Sequence, residues 1–283
     1  MDKNNHWLGS ALLVAISFNA VLNDIVMKTL AIGGMEPLAI NGLRIFFSCI
    51  LALIISTHYH GIKVFKNIFH WHHWVRNLVT IGALWAVIKS LSVCQIAQVD
   101  LITYLIPAFI SVIAALFFHE KFNGLNFILV LVCIGTFLYR KGLFYAIPLI
   151  ISAFLFGFAE VWIKHKMAPY KFWSMVVSLG LMGSILLSYY FVPVLMTMNW
   201  YQWILSLAMG IGDITILGLI TWKSKVGSSH DFLPLRYSSV LFAILADKLI
   251  FKVVNFDWIM VAVVIGTSLI SLGASAKRKI VNI

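Results

Sequence analysis

The chain is a succession of apolar runs, each long enough to cross a bilayer. A spanning helix needs about 20 mostly apolar residues. Runs of that kind recur at roughly 8–28, 37–57, 75–95, 98–118, 124–141, 143–164, 172–193, 201–221, 230–251 and 256–276. Period-2 alternation is missing, which argues against strands. In hydrocarbon each segment must satisfy its own backbone, and a helix does so. Composition agrees: 61% of the residues are hydrophobic and 11% charged, against about 45–50% and about 25% in soluble domains. A water-soluble enzyme and a disordered chain are both excluded. The expected fold is an all-α integral membrane protein with ten transmembrane helices.

The breaks between runs carry turn or charge signals, such as Gly33-Gly34 before Pro37, the polar stretch from His58 to Trp74, Arg140-Lys141-Gly142 and Asn199-Trp200. The first run is too long for the core of a cleaved leader, so it reads as a retained first span. With the N-terminus inside, thirteen of the 21 Lys and Arg fall on the inner side, including Lys63, Lys66, Arg76, Lys164, Lys166, Lys223 and Lys225. Lys28, Arg140, Lys141, Lys248 and Lys252 fall outside. This bias places both termini in the cytoplasm. The net charge of +11 therefore caps apolar segments, and no nucleic-acid partner is expected. The expected location is the bacterial cytoplasmic (inner) membrane.

Ten spans divide into five and five. Ile134-Gly135-Thr136 recurs as Ile265-Gly266-Thr267 near the ends of spans five and ten. Asp24-x-x-x-Lys28 closes span one as Glu160-x-x-x-Lys164 closes span six. Five is odd, so halves 1–141 and 142–283 would run in opposite directions. Inverted repeats of that kind build secondary transporters, with a site near the midplane between the halves.

The chain resembles the EamA-type drug/metabolite transporter superfamily over nearly its whole length. The resemblance rests on Asn41-Gly-Leu-Arg44-Ile-Phe-Phe, on Ile106-Pro107 through Phe118-His-Glu120-Lys with Gly135, and on Pro234-Leu-Arg236-Tyr237. The second half departs from the family pattern, with Val253 about where a Glu is usual. A narrower resemblance, to the S-adenosylmethionine transporters, rests on Asn23-Asp24-x-x-Met27-Lys28, Arg44 and Pro234-x-Arg236-Tyr237. These resemblances imply a carrier of small polar or zwitterionic metabolites. Export of amino acids or drugs and lipid flipping are alternatives on the same fold.

A charge within hydrocarbon costs about 2.5–3.5 kcal/mol at a helix centre, so intramembrane ionisable residues mark candidate sites. Asp213 sits about 12 residues into span eight, near the middle. Gly210, Gly212 and Gly218 beside it permit a close helix approach. Asp24, Arg44, Lys89 and Asp100 lie towards the outer side, Glu160 and Arg236 towards the inner. Arg44 suits a carboxylate because its fork binds both oxygens. Its structural alternative is pairing with Asp24 or Asp100, and that of Asp213 is pairing with Lys89 or Arg236. Asp24–Lys28 and Glu160–Lys164 have the favourable i,i+4 order for local ion pairs. Trp85, Tyr104, Trp162 and Tyr237 lie deep enough to cage a cation or stack a purine. The candidate substrate-binding set is Asp24, Arg44, Trp85, Lys89, Tyr104, Glu160, Asp213, Arg236 and Tyr237.

His58, His60, His70, His72 and His73 form a His-rich loop, but with Trp71 and Trp74 they read as an interfacial helix rather than a metal site. Cys49, Cys94 and Cys133 lie in apolar runs and read as packing residues. No GxxxxGK[ST] loop occurs, so gradients or exchange would supply the energy. No catalytic set, cofactor or metal is expected. The expected partners are a small-molecule substrate and the lipid bilayer, with the chain a monomer or homodimer.

Overall fold

The computed structural model describes residues 3–61, 68–103, 106–119, 143–167, 172–226 and 238–253, with isolated positions between them. The described segments are helical, and no strand occurs among them. The helices are α1 (Lys3–Ile32), α2 (Pro37–His60), α3 (Trp71–Leu91), α4 (Ile96–Thr103), α5 (Ile106–Phe118), α6 (Leu143–Lys166), α7 (Phe172–Thr197), α8 (Trp200–Val226) and α9 (Ser238–Leu249). Expected spans one, two, six, seven and eight each fall on one helix. Span three overruns α3, which ends at Leu91, and the described parts of span four are α4 and α5. Spans five and ten lie almost wholly outside the described residues.

Helix boundaries follow local chemistry. Pro37 opens α2, where its missing N–H costs nothing. The α1–α2 turn closes through Gly34 at φ +87°, a left-handed conformation that glycine adopts freely. The N-cap of α3 is His70, whose Nδ1 accepts from the His72 N–H at 3.4 Å.

Five of these helices are long and apolar enough to cross a membrane: Val14–Ile32, Pro37–Tyr59, Ile147–Lys166, Phe172–Thr197 and Trp200–Leu219. The radial distribution of polarity supports that reading. Ile54, Ile185, Tyr189, Met196 and Leu241 are exposed, whereas Asn23, Lys28, Asn41, Asn77, Asp100 and Asp247 are buried. In water this arrangement would leave large apolar area uncovered. In lipid it is the expected one, because polar groups must face the bundle interior.

The main core joins α1, α2, α3, α4, α6, α7, α8 and α9 through Met27, Leu43, Ile88, Ile96, Leu149, Leu187, Met209 and Ala243. Among the described helices, most packing runs between residues before 141 and residues after it. α2 packs on α7 and α8, α1 on α8 and α9, α3 on α6, and α4 on α9. Close approach at the α2–α8 crossing depends on Gly210, where an added Cβ would lie 2.6 Å from Phe47 Cβ. At Gly212 an added Cβ would overlap the Asn23 side chain. Small residues at such contacts let membrane helices approach without the side-chain entropy that longer residues would lose.

Candidate functional site

Helical spacing on α1 organises the polar interior. Asn23 and Met27 are one turn apart on one face, and Asp24 and Lys28 on the adjacent one. The first face meets α2 and α8. The second meets α4 and α9.

On the first face, Arg44 of α2 and Asp213 of α8 form an ion pair. Arg44 Nε donates to Asp213 Oδ1 and Oδ2 at 2.9 and 2.7 Å, and Nη2 donates to Oδ1 at 2.6 Å. Asn23 Nδ2 adds a bond to Oδ1 at 3.1 Å. Arg44 Nη1 points at Met27 Sδ, 3.4 Å away. Each side chain of the pair is 14% exposed, so the planar fork and the carboxylate are largely withdrawn from solvent yet not sealed.

On the second face, the Asp24 carboxyl lies close to that of Asp100, and Ser239 of α9 also bonds Asp100. Lys28 lies one turn further along α1. It donates to Asp247 Oδ1 at 3.2 Å and to the Cys94 carbonyl at 2.9 Å. Asp247 also accepts from the Ile96 and Ala97 N–H groups at 3.1 and 3.0 Å.

The partners differ from those that spacing suggested. Lys28 leaves the i,i+4 Asp24 for Asp247, because α9 brings a buried carboxylate that would otherwise be uncompensated. Asp213 pairs with Arg44, not with Lys89. Arg44 is within Coulomb range of Asp24, but its hydrogen bonds go to Asp213.

Of the candidate set, the structure brings Asp24, Arg44 and Asp213 together around α1. Trp85 and Lys89 sit one turn apart on an exposed face of α3, with Lys89 Nζ 5.1 Å from the Trp85 ring centre. Glu160 is exposed on α6. Tyr104, Arg236 and Tyr237 lie outside the described residues. Trp162 lies at the His-rich end instead of the ionic cluster, where its Nε1 donates to the His72 carbonyl at 3.2 Å. The candidate set omitted Asn23 and Asp247. Asn23 was legible as a neighbour of Asp24 in the quoted motif, whereas Asp247 near a helix end resembled an ordinary surface acid.

The His-rich loop packs as aromatic surface. Trp71 and Trp162 meet edge to face at 5.6 Å, and His73 lies 4.7 Å from the Tyr170 ring. Burial, reinforced by Arg76 and the neighbouring His70 and His72, pushes the His73 imidazole down to about 4. Among the described residues no group of three or more metal-ligating side chains gathers.

Residues 7–139 match the model of the EamA-like transporter family. Residues 7–139 thus carry an EamA-like transporter domain. That family is one of membrane transporters, in keeping with the drug/metabolite transporter superfamily and with several apolar spanning helices. The match suggests a membrane transporter, and the apolar helices agree with a multi-pass membrane protein. A solved crystal structure of a protein superposes with a TM-score of 0.62 at 16% identity, covering 95% of this chain and 98% of that one. This likeness concerns the fold alone. No curated protein matches the sequence.

Proposed function

We propose that the chain is a secondary carrier of a small zwitterionic metabolite, S-adenosylmethionine or a related amino-acid derivative, across the bacterial inner membrane. The observation that carries this reading is the Arg44–Asp213 ion pair. It holds a guanidinium fork and a carboxylate 2.6 Å apart in a partly accessible interior. A zwitterion offers the same two charges in the opposite sense. Its carboxylate can take the Arg44 fork, while its ammonium or sulfonium takes Asp213, with Asn23 and Asp24 adjoining. Substrate binding would then exchange one internal ion pair for two intermolecular ones. No buried charge would be stranded, which matters because an uncompensated one costs several kcal/mol.

Alternating access between halves 1–141 and 142–283 completes the mechanism. Three features support two inverted repeats with both termini cytoplasmic. The family match ends at residue 139, next to the proposed boundary. Helix contacts come in exchanged partners: if α1, α2, α3 and α4 correspond to α6, α7, α8 and α9, then α1–α8 is the counterpart of α3–α6, and α2–α7 and α4–α9 map onto themselves. The Lys and Arg bias sets the orientation. Tyr104, Arg236 and Tyr237 remain proposed contributors to the substrate face, as do Trp85, Lys89 and Glu160 at other stages of the cycle.

The test is reconstitution in liposomes with labelled S-adenosylmethionine, with and without unlabelled zwitterion inside. Saturable uptake that trans-loading accelerates is the expected result. Wild-type liposomes that match empty ones for S-adenosylmethionine and a panel of amino acids would remove the proposal.

A further inference from the structure

We propose that the Lys28–Asp247 contact is a releasable latch that closes the cleft at the end of the bundle where α1 and α9 finish and α4 begins. This inference rests on the carrier reading above, and on its proposed orientation that end is the external one.

The contact is built differently from a simple ion pair. Asp247 is fully buried and Lys28 nearly so. Besides Lys28, the carboxylate takes the N–H groups of Ile96 and Ala97, at the N-terminus of α4. That end carries partial positive charge, which suits an anion. Gln98 Oε1 accepts from the Gln95 N–H at 3.2 Å, so α4 supplies part of its own cap. The remaining part comes from α9, across the boundary at 141. Lys28 binds the Cys94 carbonyl at the same time, and its Nζ lies 4.7 Å from the Phe251 ring centre. One carboxylate thus ties α1, α4 and α9 together.

A buried ion pair contributes little net stability against an apolar equivalent, so its presence here calls for another role. Arg44–Asp213 and Lys28–Asp247 each take their cation from the first half and their acid from the second. If the two halves part at this end, Asp247, Lys28 and the two N–H groups all need new partners. Water supplies them, and water arrives only if that end opens. The latch is therefore costly to break while dry and cheap to break once wetted, which gives two discrete states.

Cys94 provides a reporter, because its thiol is buried beside the latch. In full-length protein carrying Cys49→Ser and Cys133→Ser, a membrane-impermeant maleimide is applied to vesicles from each face in turn. Asp247→Asn should raise Cys94 labelling at least tenfold from one face only. A second reporter, Ser56→Cys with Cys94→Ser, lies buried near the opposite end of α2. Its labelling from the other face should fall at least threefold with Asp247→Asn. Lys28→Met keeps both N–H bonds to Asp247, so it should act in the same direction but less, and it carries the test if Asp247→Asn fails to accumulate. Unchanged labelling, or a rise at both reporters, overturns the latch. Reciprocal labelling in a protein that moves no zwitterion would uphold the latch and reject the substrate reading.

Discussion

The Arg44–Asp213 and Lys28–Asp247 pairs use the same chemistry in different settings. Arg44–Asp213 joins the middles of two helices and keeps 14% exposure on each side chain. Lys28–Asp247 joins helix ends, with its carboxylate at 0% and held by two backbone donors. A pair whose members bind side chains alone can trade them for a ligand's charges. A pair that also holds a helix terminus cannot let go without disturbing that helix. The first therefore suits recognition and the second suits closure, although each joins a residue before 141 to one after it.

The contrast can be broken most sharply at Asp213. Asp213→Asn leaves Arg44 facing a neutral amide in a low-dielectric interior, where losing one partner of a buried pair costs about 3–5 kcal/mol. Transport should fall at least a hundredfold while the protein still inserts, as measured by flux in liposomes beside a membrane-fraction blot. Full transport by this variant would remove Asp213 from the site. Gly212→Leu should act next most strongly, by pushing α8 away from Asn23. Reduced yield and a lower melting temperature in detergent are the expected readouts, with normal behaviour contradicting the close approach. Arg44→Lys keeps the charge and loses the fork, so apparent substrate affinity should weaken about tenfold, and an unchanged KM would mean that the fork does not meet a carboxylate. Asn23→Ala removes one bond to Asp213, worth about 1 kcal/mol. A KM raised about fivefold is expected, and no change would place Asn23 in packing alone.

A pH-dependent effect tests the opposite end of the bundle. His73 titrates at about 4 when folded against about 6.5 when unfolded. Between those values the unfolded chain binds the extra proton, so stability falls as pH drops from about 6.5 towards 4 and is unaffected above 6.5. Thermal unfolding in detergent at pH 8, 7 and 5 checks this, and His73→Gln should flatten the acid limb. An acid limb that persists unaltered in His73→Gln assigns it to other groups.

Much of the fold was legible because lipid imposes length and polarity rules on every helix. The five long apolar helices occur where hydrophobic runs placed them, and Gly210 and Gly212 mark a real close approach. Pairing was less legible. An i,i+4 rule sees only the helix it is written on, and it gave Lys28 to Asp24. The fold instead supplied Asp247 from 219 positions away, and desolvation made that acid the one in need of a cation. Asp213 failed in the same way, since distance along the chain says nothing of Arg44. The aromatic platform expected near the charges was placed by depth alone. Depth does not fix azimuth, and the rings of Trp85 and Trp162 point elsewhere.

The spacing on α1 has a consequence for how this gene can drift. Each added residue turns a helix by about 100°. One codon gained or lost between Asn23 and Lys28 would keep either the Asn23–Asp213 hydrogen bond or the Lys28–Asp247 ion pair and swing the other out of register. Point changes are open to evolution along that turn, whereas indels should be purged unless they restore nearly whole turns.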